Sequence, residues 1–392
     1  MKLPCKPAVL AAVATALSLL GDQTLYAVLP TYYEQLALKP WHVGVLLSVN
    51  RWIRLLTNHL AERLCRRFSP GLLFCLSLTL GAGLTVIYAK VSLFAALVIA
   101  RVLWGLCWSF IRQVAVMTVV ETCDESETGQ AMGFYNGISR TGSLAGNLLG
   151  GVFHDLLGFT VGLLAMAGIS LLAVPFGGLS QKGVKRLGDR GGRGAEANGW
   201  RRNWRLVLCG LAVGWVGGLV MSTTGLILKV RYGKDVSVLW WVLGVASLNG
   251  ILLSGRWTAD AVGAPALGAL TDRFGRGRAL PIFFGLGAAS LIVAQFSSQL
   301  AVLWAGVWLY FICATAVYVA AAAEAGHRGS RVFASYMTAL DLGAALGPVV
   351  GWGIQQYFDL APVVFYIGGG IYLAACLVSW GAVPVGGARP RD

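Results

Sequence analysis

The sequence predicts an all-α integral membrane protein: twelve transmembrane helices in two pseudo-symmetric six-helix bundles. Composition comes first. Of 392 residues, 57% are hydrophobic and only 12% charged, with a mean hydropathy of +0.70, whereas a soluble domain carries about 25% charged residues. Second, apolar windows of about 20 residues recur along the whole length, each long enough to cross the hydrocarbon core of a bilayer. Third, the stretches GVLLSVNRWIRLL and GILLSGRWTADAV each set an Arg-Trp pair in apolar sequence, Arg51–Trp52 and Arg256–Trp257. A charge at bilayer depth costs roughly 3 kcal/mol or more and marks a cavity. Its repetition in two halves points to a binding site on a pseudo-symmetry axis.

In order, the spans fall at 8–33, 42–62, 70–89, 92–120, 130–153, 158–178, 204–228, 240–271, 279–297, 300–323, 332–356 and 361–383. The first apolar segment follows Lys2 and Lys6 and raises the question of a cleaved signal. It is too long for a signal's apolar region, carries Asp22 and has no small-residue cleavage site, so it reads as the first helix. The stretch Val236 to Thr271 is too long for one span, and an outer loop or extra helical turns must absorb the excess. SQKGVKRLGDRGGRGAEANGWRRNWR is Gly/Arg-rich and reads as a linker, giving an N-terminal bundle at 1–179, a basic cytoplasmic linker at 180–205 and a C-terminal bundle with a short tail at 206–392.

With the N-terminus inside, twenty of the thirty-one Lys and Arg residues fall in cytoplasmic segments and five (Lys39, Lys90, Lys229, Arg231 and Lys234) outside. The positive-inside rule therefore places both termini in the cytoplasm, in a plasma or inner membrane. The net charge of +14 lies in loops between spans, which argues against nucleic acid. The linker's arginines serve as a topology determinant more readily than as a lipid site. The eight cysteines form no C-x-x-C pair and no histidine cluster accompanies them, so neither a metal nor a disulfide framework is expected. Nucleotide loops, nucleophile elbows and metal-ligand spacings are absent. No enzyme and no cofactor is expected.

Two cytoplasmic loops carry related motifs. Gly268 to Arg278 reads GALTDRFGRGR, and Asn58 to Arg67 reads NHLAERLCRR, with Asn58 and Cys65 at glycine positions and Glu62 for Asp. Both fit G-x-L-a-D-r-x-G-r-k, and the chain resembles the major facilitator superfamily in this signature. Four further stretches are similar to that family: ARVLWGLCWS with Arg101 and Gly105, GSLAGNLLGG from Gly142 to Gly151, GAALGPVVGW from Gly343 to Trp352, and GDQTLYAVLP at Asp22. The resemblance implies an alternating-access transporter, monomeric by family default. It implies a conformational latch at Glu62, Arg63 and Arg66 and at Asp272, Arg273 and Arg276, where carboxylates pair with arginines in one state and not the other. It also implies an antiporter-like packing motif at Gly142, Gly146, Asn147, Gly150 and Gly151, with Gly347 and Pro348 in the other half. Asn147 stands where that motif has proline, which puts the associated kink and the inferred proton-coupled export in question.

The arginines within spans suggest the substrate. Arg51 and Arg54 are three apart and share a helix face. Arg101 and Arg112, eleven apart, are close to three turns and share another. Arg140 lies ten residues into the fifth span, where pairing with Glu121 or Glu127 across the loop is the structural alternative to a substrate contact. Against these stands chiefly Asp22. Guanidinium forks recognise carboxylate and phosphate. Arg51, Arg54, Trp52, Arg256, Trp257 and Arg101 are therefore the expected contacts of an anionic substrate, and the paired arginines also resemble those of nitrate/nitrite exchangers in the superfamily. The resemblance makes Arg101 a coupling or structural arginine more readily than a substrate contact, and each tryptophan reads equally as a lipid-facing or packing residue. Asp22, Asp341 and Asp260 are the candidate proton carriers, the alternative for Asp22 being a static salt bridge to Arg51, Arg54 or Arg101. One register conflict stands out: Arg51 lies 11 residues before Glu62, but Arg256 lies 16 before Asp272. The two copies align only with a bulge, for which Ala264–Pro265 is the expected place.

Three functions follow: a proton-coupled exporter of a small organic or inorganic anion, a multidrug/proton antiporter for lipophilic cations, or a non-transporting membrane receptor or assembly factor. The first is marked by arginine excess within the spans. The second requires carboxylates open to the cavity.

Overall fold

The computed structural model describes residues 5–123, 128–182, 203–238, 240–358, 363–380 and 382; most of the expected linker lies outside them. The described chain forms twelve helical rods. The first is broken into α1 (Lys6–Ser18) and α2 (Leu20–Tyr32), with a 3-10 turn at Tyr33–Leu36. There follow α3 (Pro40–Arg67), α4 (Pro70–Lys90), α5 (Phe94–Thr122), α6 (Thr128–Leu157) and a sixth rod of α7 (Phe159–Leu171) and α8 (Ala173–Ser180). After the linker come α9 (Trp204–Tyr232), a hairpin of β1 (Asp235–Val238) and β2 (Trp241–Gly244), then α10 (Val245–Thr258), a π-helical segment (Ala259–Gly263) and α11 (Ala264–Phe274). The last four are α12 (Arg276–Phe296), α13 (Leu300–His327), α14 (Ser330–Phe358) and α15 (Val364–Ser379). Pro40 and Pro70 open their helices at the first turn, where a missing N–H costs nothing.

Eight rods are long and apolar enough to cross a membrane by composition, and α15 is apolar but shorter. The three that fall short are α3, α6 and the α10–α11 rod. These carry Arg51 and Arg54, Arg140, and Arg256. Rods so polar at mid-depth must turn those faces toward protein or a water-filled space rather than lipid. Elsewhere the surface is apolar, with Leu72, Leu76, Leu80, Ile99 and Leu377 exposed as lipid-facing side chains would be.

Two expectations are corrected. The eighth span begins at Val245, not 240. The hairpin, paired from Asp235↔Gly244 to Val238↔Trp241, absorbs the excess length and carries the exposed Trp240 and Trp241. The expected irregularity lies at Ala259–Gly263, immediately before Ala264–Pro265. Pro265 has no N–H for the carbonyl a turn earlier and its ring crowds it, so the ladder widens there.

Contacts divide the chain into two compact units, Met1–Gly191 with Thr224–Ala261, and Gly192–Thr223 with Val262–Asp392. The segment Thr224–Ala261 belongs by chain order to the second bundle but packs with the first unit. The cause is close backbone approach. A Cβ at Gly151 would fall on the Ala246 carbonyl, and one at Gly250 on the Asn147 carbonyl, so only glycine permits this crossing of α6 with α10. On the other side of α6, Gly142, Gly146 and Gly150 meet Ala16, Leu20 and Thr24 of the first rod. In the second unit Gly343, Gly347 and Gly351 of α14 meet Leu211, Leu219 and Thr223 of α9 in the same four-residue rhythm.

Candidate substrate and coupling site

The first rod breaks next to Asp22 for a local reason. Thr15 Oγ1 donates to the Ala11 carbonyl at 2.8 Å and Ser18 Oγ to the Thr15 carbonyl at 2.8 Å; such side-chain bonds compete with the helix ladder and bend it. Asp22 lies in the first turn of α2, just past this irregularity.

Opposite stands Arg101, the eighth residue of α5. Its Nη1 donates to Asp22 Oδ1, its Nε to the Leu46 carbonyl of α3 at 2.8 Å, and the guanidinium lies 5.9 Å from the Tyr88 ring. The two side chains are 1% and 6% exposed, so neither meets solvent here. The pair continues sideways. Gln23 Nε2 donates to Asp22 Oδ2 at 3.0 Å, and Asn147 Nδ2 donates to Gln23 Oε1 at 3.3 Å and to the Ser143 carbonyl at 2.9 Å. Asn147 thus ends a buried polar chain that proline could not join. Arg101 also lines a small apolar pocket with Leu25, Leu29, Leu46 and Leu97. Of the two readings for Asp22, the geometry is that of the salt bridge to Arg101.

A second buried polar contact escapes sequence reading. Pro30 removes the N–H that would serve the Tyr26 carbonyl. Asn249 of α10, fully buried, supplies the donor: its Nδ2 reaches the Tyr26 carbonyl at 3.3 Å and the Ala27 carbonyl at 2.9 Å. The signal was Pro30 inside a helix, but nothing in the chain said which distant amide would answer it.

The other expected site residues are distributed as follows. Arg51 lies 5.5 Å from the Tyr26 ring, one turn along α2 from Asp22. Arg54 is half-buried and Trp52 exposed on α3. Arg256 Nη1 pairs with Asp260 Oδ1, four residues on in the π segment. Trp257 lies under Arg140, at 5.0 Å. Asp341 is half-buried on α14, in the second unit. Arg101 is therefore not brought into a common open space with Arg51 and Arg54. Arg140 stacks on an expected substrate residue, and Glu127, one of its two alternative partners, lies outside the described residues. No group of three His, Cys, Asp or Glu side chains able to hold a metal occurs among the described residues.

The two loop motifs differ in form. In the second, α11 ends at Phe274 and Gly275 takes φ +79°, a left-handed turn that suits glycine. Arg276 Nε then donates to Asp272 Oδ1 at 2.8 Å, with Nη1 3.8 Å from Glu324 of α13. Arg328 continues the network, donating to Glu324 Oε1 at 2.8 Å, Asn203 Oδ1 at 2.7 Å and the Ala382 carbonyl at 2.6 Å. Arg273 is exposed. In the first motif Cys65 replaces that glycine and α3 runs on to Arg67. Glu62 and Arg63 are exposed there, and the Arg66 side chain lies outside the described set. Asn58 accepts a hydrogen bond from Ser109 Oγ of α5 at 3.1 Å.

Twelve helical rods among the described residues, eight of them long and apolar enough to cross a membrane, define a multi-pass membrane protein. The sequence profile of the Major Facilitator Superfamily matches residues 11–261, and the chain belongs to that family. It is an integral, multi-pass secondary transporter of a small-molecule substrate, not an enzyme. Several solved structures share the fold. A bacterial homolog of the human lysosomal transporter Spinster, inward-facing and occupied, matches at TM-score 0.73 and 14% identity over 96% of this chain and 94% of its own. The nucleoside transporter NupG matches at 0.74 and 13%, over 96% and 100%. The human organic anion transporter MFSD10 (TETRAN) matches at 0.67 and 15%, over 95% and 99%. At these identities the likeness is one of fold alone. No curated protein sequence matches the chain.

Proposed function

We propose that the protein, acting as a monomer with both termini in the cytoplasm, exports a small organic or inorganic anion across the cytoplasmic membrane in exchange for protons. One observation carries this reading. Among the described residues the mid-span carboxylates of the first unit, Asp22 and Asp260, are engaged by Arg101 and Arg256, and the span arginines of that unit (Arg51, Arg54, Arg101, Arg112, Arg140 and Arg256) outnumber them. A lipophilic cation would need a carboxylate open to it. An anion needs what this unit has in excess.

In this reading Asp22 carries the proton. Protonated, it releases Nη1 of Arg101; deprotonated, it reclaims it, and the equilibrium between two conformations shifts with its charge. The moving parts are the bundles 1–179 and 206–392. In this reading transport requires the glycine seam of α6 with α10 to part. The loop residues Asp272, Arg273 and Arg276, with Glu62, Arg63 and Arg66 in the other copy, act as the latch, paired in one state and parted in the other.

Thermal melts of the detergent-purified protein against anions and lipophilic cations test the reading, because a ligand that binds the folded state raises its melting temperature. Stabilisation by carboxylates or phosphates, lost in Arg51→Ala, is expected. Stabilisation by lipophilic cations alone, lost in Asp22→Asn, would make the drug antiporter the better account. In proteoliposomes, Asp22→Asn is expected to uncouple flux from an imposed pH gradient; unchanged proton dependence removes Asp22 from the mechanism.

A further inference from the structure

We propose that Arg140 and Trp257 form the oxyanion subsite of the transport site, and that its ligand is a monoanion of the carboxylate or sulfonate type; this rests on the anion reading above. The register of α6 against α10 leads to the place. Going along the two antiparallel helices, Gly151 meets Ala246, Asn147 meets Gly250, Ser254 Oγ donates to the Leu144 carbonyl at 3.2 Å, and Arg140 lies over Trp257 at 5.0 Å. Small residues shut the first three steps. At the fourth, two large side chains take over. Arg140 is the thirteenth of thirty residues in α6, about 18 Å along it at 1.5 Å per residue, and so near mid-depth.

Both side chains lack an acceptor. Among the described residues the Arg140 guanidinium stacks on the Trp257 ring, with no carboxylate within 4 Å. Glu121 makes no ion pair with it, and Glu127 lies outside the described residues. Trp257 Nε1 is buried with no hydrogen-bond partner. A buried donor left unmet is costly, and a mid-depth guanidinium without a counter-charge is costlier. One unmet buried N–H beside a half-buried guanidinium makes an acceptor site of matched chemistry, because a carboxylate or sulfonate can accept from the guanidinium with one oxygen and from the indole N–H with another.

Charge counting sets the valence. Arg256, next to Trp257, is neutralised by Asp260, and Arg101 by Asp22. Of the Arg140–Arg256 pair flanking Trp257, Arg140 then lacks a carboxylate within 4 Å among the described residues, and in a low-dielectric site a single negative charge matches that one guanidinium.

The test measures affinity in the full-length purified protein by thermal melts and titration calorimetry. The probes are acetate, benzoate and benzenesulfonate, with benzamide as neutral isostere and inorganic phosphate as the multivalent control. Wild type is expected to bind a monoanion and not benzamide. Arg140→Gln should weaken that monoanion about hundredfold, and Trp257→Phe, which keeps a ring and deletes the N–H, about tenfold. Unchanged monoanion affinity in Trp257→Phe and Arg140→Gln, with affinity lost in Arg51→Ala, overturns the subsite and leaves the anion reading standing. Absence of anion binding to wild type overturns both. Should Arg140→Gln not fold, Trp257→Phe decides alone, and an unaltered dissociation constant there overturns the subsite.

Discussion

The two glycine ladders solve one packing problem and then diverge. On α6, Gly142, Gly146 and Gly150 let the first rod approach until a Cβ would fall on Ala16, Leu20 or Thr24; on α14, Gly343, Gly347 and Gly351 do the same for α9. After the middle glycine the copies part. Asn147 follows Gly146 and joins a polar chain through Gln23 to the Asp22–Arg101 pair. Pro348 follows Gly347, and nearby Trp352 donates to the Ser222 carbonyl at 3.0 Å. The partner rod is broken between Ser18 and Leu20 in the first copy and runs whole from Trp204 to Tyr232 in the second. A packing frame repeats easily because small residues every fourth position suffice. A buried ion pair does not, since each ion costs several kcal/mol to desolvate. Among the described residues the packing frame appears in both units, and the Asp22–Arg101 pair with its polar chain belongs to the first.

The strongest way to break this comparison is at Arg101. Arg101→Ala leaves Asp22 buried without its partner and is expected to cost about 3–5 kcal/mol, enough to deplete folded protein. The double variant Asp22→Asn/Arg101→Gln should recover a large part, read from thermal melts as a coupling energy between the sites. Additive losses would mean that the pair is not a unit. In the second copy, Trp352→Phe loses one hydrogen bond and should cost only about 0.5–1.5 kcal/mol.

Next in size is an exchange of the residues that differ. Asn147→Pro removes a helix N–H and the bond to Gln23, with an expected cost of about 3 kcal/mol. Pro348→Ala, which restores an N–H to α14, should stay within about 1 kcal/mol. A neutral Asn147→Pro would show that the first ladder tolerates the motif's usual proline and that the polar chain supports nothing. Asn249→Leu falls between these, at about 1–3 kcal/mol, because the Tyr26 carbonyl loses the donor that Pro30 withheld.

The rods, their order and the arginines within them were legible because a lipid-facing helix must be apolar for about 20 residues and any exception stands out. The irregularity before Pro265 was legible because two copies disagreed in spacing. Other features were not. The hairpin at 235–244 reads in sequence as more of an apolar span, since Trp240 and Trp241 suit a membrane edge as well as a strand. The answer to Pro30 by Asn249, and the placing of Arg140 over Trp257, depend on which helices cross, and no local pattern encodes that. Glycines at 151 and 250 told of some close approach but not of which helix came near. The loop motifs were recognised as related, yet the left-handed turn at Gly275 and the unbroken helix through Cys65 became a physical difference only with φ in hand.

The smallest effect expected concerns what holds Thr224–Ala261 to the first unit. Lys229 Nζ lies 2.8 Å from Glu34 Oε2, and its ammonium 5.5 Å from the Tyr33 ring. Glu34 is 59% exposed, so water and salt screen the pair. Lys229→Met, which keeps the apolar stem, should cost less than about 1 kcal/mol, and less again at high ionic strength. Gly250→Leu, which drives a side chain into the Asn147 carbonyl, should cost about 1–3 kcal/mol and be indifferent to salt. Melts of both variants at low and high salt rank the two contributions. A salt-sensitive loss in Lys229→Met larger than that of Gly250→Leu would mean that charge, not the glycine seam, fastens this segment.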